Sequence, residues 1–315
     1  MKLTRKTLSM ILAVIAVVCL AAAGGSLYHS YRDLKETEQT LEELREAASQ
    51  QREALSSSSD TASSSQERPE CSESTEGPTD APTDTPTEVP MEEPTQEPTE
   101  EPTQEPTEEA PAAVPNPYAD SYLANGDMAG WLSIPGTEID YPVMWTPEDE
   151  NYYLYRDFNG KENKNGCLIL DTDSCLEPLT TNLIIHGHNM KSGAMFGNLT
   201  DYENKTYYEN HKEIILYTPQ CQRNYEVIAV FRSQVYKKTD NVFKFYKFFQ
   251  ADTEEEFNDF YENIKKLSLY DTGVTAEFGA HFITLSTCVY HVEQGRFVVV
   301  AKEVESGDSY LPLEE

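Results

Sequence analysis

Residues 281–288 read HFITLSTC and residues 296–302 read RFVVVAK, two apolar runs joined by a loop that ends in Gly295. Both runs favour strands, and a loop this short usually joins antiparallel neighbours. Cys288 at the end of one strand and Arg296 at the start of the next are therefore expected on the same rim of a sheet. A fixed positive charge favours the thiolate, so the pair predicts a reactive cysteine. On these residues alone, a buried core cysteine followed by a surface arginine is an alternative interpretation.

An upstream apolar run, NLIIHGHNM at residues 182–190, carries two histidines, His186 and His188. A cysteine nucleophile needs a base or an imidazolium that is near in space rather than in sequence. The two histidines share a face if the run is a strand, and physical reasoning alone does not choose between them. A metal site formed by His186, His188 and Cys288 is an alternative, although no carboxylate motif supports it. His281 lies at the far end of the cysteine strand and is expected to be structural.

TLSTC followed by arginine, with an upstream strand that ends in GHNM, resembles the sortase family of cysteine transpeptidases, and class B in particular. The resemblance covers roughly residues 116–303, including GWLSIPGTEIDYPV at residues 130–143. The family motif places the catalytic histidine directly after glycine, which here is His188, so His186 is expected to pack or hydrogen-bond nearby. The chain departs at Val289, where class B members often carry an acidic or small polar residue. The cysteine context does not match an L,D-transpeptidase, whose cysteine follows a Ser-x-Gly pattern.

The resemblance implies the chemistry of the site. Cys288 would attack the carbonyl of a threonine in a sorting motif near the C-terminus of a secreted protein. An amine of a peptidoglycan precursor or of a pilin lysine would then resolve the thioester. His188 would act as general acid and base, and Arg296 would hold the substrate carbonyl or stabilise the oxyanion. No cofactor or metal is expected. Three further residues are candidate substrate contacts: Ser286, Thr287 and His291.

The composition limits the partners and the compartment. The formal net charge of −31 is concentrated in part between residues 66 and 109, which carry fifteen acids and one base. Nucleic acid is not an expected partner, because phosphate binding needs clustered basic residues. None of the six cysteines forms a CxxC pair, so neither a zinc ribbon nor a thioredoxin-like motif is indicated. A disulfide between Cys167 and Cys175 is an open alternative.

The N-terminal segments predict an anchored extracellular protein. Residues 1–7 carry three basic side chains and are expected to be a cytoplasmic tail, followed by an uncharged apolar run at residues 8–28. This run is long enough to cross a bilayer in a single pass, and the charges around it place the folded domain outside the cell membrane. A cleaved signal peptide is the alternative. Residues 29–55 have the pattern of a solvated helical stalk or, alternatively, of a short self-associating coil.

Residues 56–115 are of low complexity, first rich in serine and then built from degenerate Glu-Pro-Thr repeats. Such a composition cannot bury a core, so the segment is expected to be a disordered spacer.

Residues 116–315 are the expected catalytic domain, mainly β and with one long helix before the cysteine strand. The helix pattern begins with a capping box at Thr253 and Glu256, and the number of strands favours a closed barrel or a sandwich. The resemblance implies an eight-stranded sortase-like barrel with peripheral helices near 118–128, 148–155 and 195–209. The non-enzymatic alternative is a stalked extracellular binding module. The strands are expected near residues 131–134, 139–144, 166–171, 182–187, 213–218, 224–232, 281–288 and 296–303.

Overall fold

The computed structural model describes residues 113–313 and scattered positions between 15 and 53, continuous over 38–51. Within these residues, no helix is both long and apolar enough to span a membrane. Most of the anchor predicted at residues 8–28, and nearly all of the spacer predicted at residues 56–115, lies outside the described residues. Both therefore stay predictions.

Eight strands form a closed barrel in the order β1-β2-β3-β4-β7-β8-β6-β5, closed by pairing between β1 and β5. The barrel is mixed, because β2–β3 and β4–β7 pair in parallel while the remaining pairs are antiparallel. All eight predicted strands are present, and β6 and β8, which pair with each other, extend beyond the predicted ends. The strands are β1 Met128–Ser133, β2 Asp140–Met144, β3 Leu168–Leu170, β4 Asn182–Gly187, β5 Glu213–Tyr217, β6 Cys221–Gln234, β7 Phe282–Cys288 and β8 Gly295–Ser309.

Alternating side chains of β7 divide between two hydrophobic clusters. Ile283 and Leu285 point into the barrel and join its main core. Phe282 points outward and joins a second cluster beneath the long helix. Because side chains alternate along a strand, Ser286 and Cys288 lie on the same outer face as Phe282. The outer face of β7 is therefore apolar where the helix covers it and polar at its carboxyl end.

The long helix, α4, runs over Glu254–Leu267, as the sequence predicts. Its buried residues are Phe257, Phe260 and Ile264, and the ring of Phe282 lies 5.4 Å and 5.3 Å from the first two rings. This packing fixes the segment that leads into the cysteine strand.

The capping box at the start of α4 predicts that the Thr253 side chain contributes to the stability of the fold. The Thr253 hydroxyl accepts from the Glu256 amide at 3.3 Å, and the Glu256 carboxylate accepts from the Thr253 amide at 3.1 Å. We expect Thr253→Ala to lower the free energy of unfolding by about 1 kcal/mol, because it leaves a helix N–H without its cap. Urea unfolding measures this, with the exposed Thr275→Ala as control; equal effects of the two substitutions would contradict the prediction.

The smaller helices are α2 at Ala119–Ala124 and α3 at Lys205–Asn210, with 3-10 turns at Tyr152–Tyr155, Gly197–Glu203 and Phe245–Lys247. The predicted helical regions near 118–128, 148–155 and 195–209 are thus present in shorter form. Part of each of the last two regions is a 3-10 turn, at Tyr152–Tyr155 and at Gly197–Glu203.

The N-terminal helix, α1, continuously described over residues 38–51, corrects the expectation of a solvated stalk. Leu41 and Ala48 are only 8% and 4% exposed, and they belong to the clusters that include barrel side chains. Arg45 donates from Nε to the Asp140 carbonyl at 3.0 Å, and its guanidinium stacks on the ring of Tyr141. The repeating apolar residues of α1 therefore cover the barrel in place of a solvent-facing or self-associating seam.

The described cysteines are all free, including Cys167 and Cys175. The Cys167 thiol is buried and donates to the Arg156 carbonyl, and the Cys175 thiol donates to the Glu177 carbonyl. The disulfide left open between Cys167 and Cys175 is not formed.

Candidate active site

Cys288 and Arg296 lie opposite each other on neighbouring antiparallel strands. Cys288 is the last residue of β7, and its register partner on β8 is Arg296. The loop between them is closed by a hydrogen bond from the Val289 amide to the Gly295 carbonyl at 3.0 Å. A Cβ atom at Gly295 would collide with the Val289 carbonyl, which explains the glycine at this position. The antiparallel pairing expected from the short loop is present.

His188 lies one residue beyond β4, which pairs in parallel with β7. Gly187 of β4 is aligned with Thr287 of β7. The residues that follow them, His188 and Cys288, therefore lie level with each other. Neighbouring strands are about 4.8 Å apart. The Asn189 side chain links the ends of β4 and β7 by donating a hydrogen bond to the Cys288 carbonyl at 2.9 Å. The predicted histidine, cysteine and arginine therefore meet at one end of β4, β7 and β8.

The His188 ring is held by its surroundings. Its Nε2 lies 2.8 Å from the Leu154 carbonyl oxygen, and the ring of Tyr155 lies 5.2 Å away. A carbonyl oxygen only accepts, so Nε2 carries a hydrogen and Nδ1 is the nitrogen that remains for a substrate. Gly166 has a φ of +60° and packs so closely on the Leu154 carbonyl that a Cβ atom would collide with it. The close packing of Gly166 therefore fixes the position of the 3-10 turn at 152–155, whose Leu154 carbonyl contacts the histidine.

The Arg296 guanidinium is half-buried and has no carboxylate partner within the part of the chain that the structure describes. Its Nη1 contacts the carbonyl oxygens of Gln294 and Gly295 at 3.3 Å and 3.1 Å. A guanidinium has five N–H donors, so this side chain keeps donors for a further acceptor. Beside a thiol, such a permanent charge is suited to stabilise a thiolate or an oxyanion.

The three candidate substrate contacts have different surroundings. Ser286 is 2% exposed, and its Oγ has no hydrogen-bond partner among the described residues. Thr287 is equally buried, and its hydroxyl donates to a backbone carbonyl of β4 at 2.7 Å, so it stabilises the β4–β7 pairing. His291 is exposed in the loop and lies near Glu203, whose carboxyl pKa is lowered by a hydrogen bond from Arg232 and further by His291. Ser286 therefore has an unused polar atom on the face of Cys288, whereas the Thr287 hydroxyl is already paired.

His186 hydrogen-bonds nearby, as the family motif implies. Its Nε2 lies 3.0 Å from the Asp171 carboxylate, and the Glu150 carboxylate is close enough that the three ligand atoms lie within 4.8 Å of one another. Among the described residues, this is the group with metal-ligand spacing, whereas the alternative set of His186, His188 and Cys288 does not form one. His281, expected to be structural, contacts the Thr180 carbonyl.

Several residues around the site are missed by sequence reasoning. Asn189 belongs to the GHNM motif, so its proximity to the cysteine could have been suspected from that motif. Asp171 ends a predicted strand, and a polar residue there could have indicated a site at the rim. Glu150 and Leu154 carry no local signal, because they are distant from the histidines in sequence and approach them only in the folded chain.

The comparisons with known proteins agree with this geometry. The sortase-domain family profile matches residues 132–304, more than half of the chain. The chain is 33% identical over 191 residues to sortase B of Listeria monocytogenes, covering 59% of this chain and 73% of that protein. It is 27% identical over 186 residues to sortase B of Staphylococcus aureus, covering 58% and 72%.

Solved structures agree as well. The Staphylococcus aureus sortase B–substrate complex superposes with a TM-score of 0.55 at 27% identity, covering 61% of this chain and 87% of that one. Clostridium perfringens sortase B superposes with a TM-score of 0.53 at 26% identity, covering 59% and 98%. The family profile spans the part of the barrel that carries His188, Cys288 and Arg296, and both relatives and both structures are sortase B. The chain therefore belongs to the sortase family of cysteine transpeptidases, and within that family to class B.

Proposed function

We propose that this sortase cleaves a C-terminal sorting motif at a threonine and transfers the acyl group to an amine of the cell wall or of a pilin lysine. The observation that carries this proposal is the register of Cys288 against Arg296, with His188 level with both at the end of β4. These are the three side chains that acyl transfer through a thioester requires. Staphylococcus aureus sortase B, which this chain resembles, has been solved as a substrate complex, and this supports the proposal that the chain binds a substrate of the same kind.

The chemistry follows from the positions of the three side chains. The Cys288 thiolate attacks the threonine carbonyl, and the Arg296 N–H groups stabilise the oxyanion of the tetrahedral intermediate. His188 donates a proton to the leaving amine as the peptide C–N bond breaks, which leaves a thioester on Cys288. The incoming amine then attacks the thioester, loses its proton to His188 and forms the new amide, and the thiolate leaves.

The setting we propose for this reaction is the outer face of a Gram-positive cell membrane. Residues 8–28 would form a single-pass anchor with the N-terminus in the cytoplasm, and residues 56–115 would be a spacer of the extracellular catalytic domain. The apolar run and its preceding positive charges support the anchor. Protease protection of the N-terminal tail in intact cells, with the barrel accessible from outside, would test this orientation.

The transpeptidase proposal is tested with peptides and the full-length chain. Quenched-fluorescent peptides with Leu-Pro-x-Thr-Gly-like and Asn-Pro-x-Thr-Asn-like motifs are incubated with the protein and a nucleophilic amine. Intact mass is expected to show an acyl adduct, and the product is expected to contain the amine joined to the threonine. A folded protein that gives no adduct with any of these peptides would count against the proposed substrate class.

We expect Arg296→Lys to lower kcat/KM by about 10²-fold, in line with the loss of one oxyanion donor. Lysine keeps the charge but lacks the planar fork of N–H donors. Arg232→Lys is the matched control, because Arg232 sits on the neighbouring β6 and pairs with Glu203. Steady-state kinetics of both variants, with unfolding midpoints, separate a catalytic from a structural effect. Equal losses in the two variants would remove Arg296 from the mechanism.

A further inference from the structure

Three side chains with the spacing of metal ligands meet on the barrel surface. Glu150 lies two residues before the 3-10 turn at 152–155, Asp171 directly follows β3, and His186 is on β4. Their ligand atoms all lie within 4.8 Å of one another, and His186 Nε2 is 3.0 Å from the Asp171 carboxylate. Three separate segments of the chain therefore bring one imidazole and two carboxylates together.

The distances and the donor atoms suit a transition cation such as Zn²⁺. Zn²⁺ binds imidazole nitrogen and carboxylate oxygen at about 2.0–2.2 Å in a tetrahedral arrangement, which places neighbouring ligand atoms roughly 3.3 Å apart. His186 and Asp171 are already near that separation. Glu150 is half-buried and makes no hydrogen bond or ion pair with any described residue, so its side chain can close the remaining distance. Ca²⁺ and Mg²⁺ prefer larger sets of oxygen ligands, so the imidazole favours a transition cation.

The neighbouring cations leave the two carboxylates without a partner of opposite fixed charge. Lys247 and Arg296 line the same cavity, which has a volume of about 240 Å³. Lys247 lies 3.9 Å from the Asp173 carboxylate, and Arg296 Nη1 contacts two backbone carbonyls. Two carboxylates held as close as those of Glu150 and Asp171 repel each other unless a proton or a cation lies between them. A divalent cation would remove that repulsion.

Ser286 gives an independent indication of a ligand in this cavity. It is aligned with His186 on the neighbouring strand β7, and both side chains line the cavity. Ser286 is only 2% exposed, and its Oγ has no hydrogen-bond partner among the described residues. Buried hydroxyl groups nearly always have a partner. A cation with three protein ligands keeps an open position for water, and such a water would supply the missing partner.

A cation at this place would act on the turn behind His188. Glu150 lies four residues before Leu154, whose carbonyl accepts from His188 Nε2 at 2.8 Å. Asp171 and His186 belong to the paired strands β3 and β4 or follow them directly. A bond from Glu150 to a cation held by these two residues would join the start of the turn to the barrel. The cation would thereby limit the movement of the Leu154 carbonyl.

We propose that Glu150, Asp171 and His186 form a binding site for Zn²⁺ or a transition cation of similar size, and that the bound cation fixes the turn that positions His188. Water takes the fourth position, and the Ser286 hydroxyl hydrogen-bonds to that water. The role of the cation is positional, and the acyl transfer proposed at Cys288 takes place without a bond to it. The inference goes beyond the proposed transpeptidase function, and its binding test does not depend on that function.

The test measures binding of the metal alone to the full-length chain. Cys288→Ala is the host protein, so that the proposed nucleophilic thiol cannot bind the metal. Calorimetric titration with Zn²⁺ is expected to show one bound equivalent with micromolar or tighter affinity. Co²⁺ replaces Zn²⁺ in a parallel titration. Its absorption spectrum is expected to lack the thiolate charge-transfer band that cysteine ligands produce, because the proposed ligands are one nitrogen and oxygens.

Variants of the host assign the cation to these side chains. His186→Gln and Glu150→Gln are each expected to weaken Zn²⁺ binding by more than about 100-fold, because a lost ligand costs more than a lost outer hydrogen bond, and Ser286→Ala by about 10-fold. Glu148→Gln and His281→Gln are the matched controls and are expected to keep the affinity, because Glu148 is exposed and His281 contacts the backbone elsewhere. Unfolding midpoints without metal confirm that each variant is folded.

Hydrogen exchange of backbone amides tests the effect on the turn. Zn²⁺ is expected to slow the exchange of the amides at residues 151–155 in the host, because the cation joins the start of the turn to two strands. In His186→Gln, the same amount of Zn²⁺ is expected to leave this exchange unchanged.

The outcomes decide each part of the proposal. Absence of Zn²⁺ binding by the host overturns the site, as does binding that Glu150→Gln and His186→Gln leave unchanged, or a thiolate band with Co²⁺. Zn²⁺ binding without slower exchange at residues 151–155 overturns the role behind His188. The peptide assay is run without added metal. Its failure would count against the transpeptidase proposal and would leave the binding result as it is, so the two proposals fail separately.

Discussion

Cys288→Ala is expected to abolish the acyl adduct and to lower transpeptidation by at least about 10³-fold. The thioester needs the sulfur, and alanine has no nucleophilic atom that could replace it at the end of β7. Cys288 is half-buried at a strand end, with Arg296 opposite it in register. This placement leaves the thiol accessible to a peptide and close to a fixed positive charge.

The control for Cys288 is another half-buried cysteine. Cys175 lies in the loop between β3 and β4, and its thiol donates to the Glu177 carbonyl. Cys175→Ala is expected to keep both the adduct and the rate. Intact mass after incubation with peptide, without amine, gives the adduct directly. An adduct that survives in Cys288→Ala and disappears in Cys175→Ala would place the nucleophile elsewhere and would refute the mechanism.

The parts of the fold that local patterns determine are predicted well from the sequence. Apolar runs and alternation predict all eight strands, and the Thr253–Glu256 capping box predicts the start of α4. The rim shared by Cys288 and Arg296 follows from one short loop. In each case, the interactions that decide the structure lie within a few residues of each other.

The features that depend on distant segments are not predicted. The helical pattern of α1 shows an apolar stripe but not the surface that covers it, and Leu41 and Ala48 turn out to pack on the barrel. The contact of Glu150 and Asp171 with His186 joins three separate segments. Neither a periodicity nor a motif connects these residues, so only the folded chain shows that they meet.

His188→Ala is expected to lower kcat/KM for an amide substrate by about 10²- to 10³-fold, the range of a general acid–base group. The leaving amine is a poor leaving group unless it is protonated as the C–N bond breaks. The Leu154 carbonyl holds Nε2 at 2.8 Å, which leaves Nδ1 for this proton. The ring orientation is therefore fixed by a backbone atom, and the substitution removes the proton donor.

A change of leaving group distinguishes a catalytic from a structural role of His188. An activated aryl ester of the same peptide has a leaving group that needs no proton, so its acylation rate should be nearly the same in His188→Ala and in the unsubstituted protein. His281→Ala is the matched control, because His281 is also half-buried and contacts a backbone carbonyl, that of Thr180, at 3.1 Å. It is expected to keep activity towards both substrates. If His188→Ala slows the ester as strongly as the amide, the histidine supports the structure of the site and another group must protonate the amine.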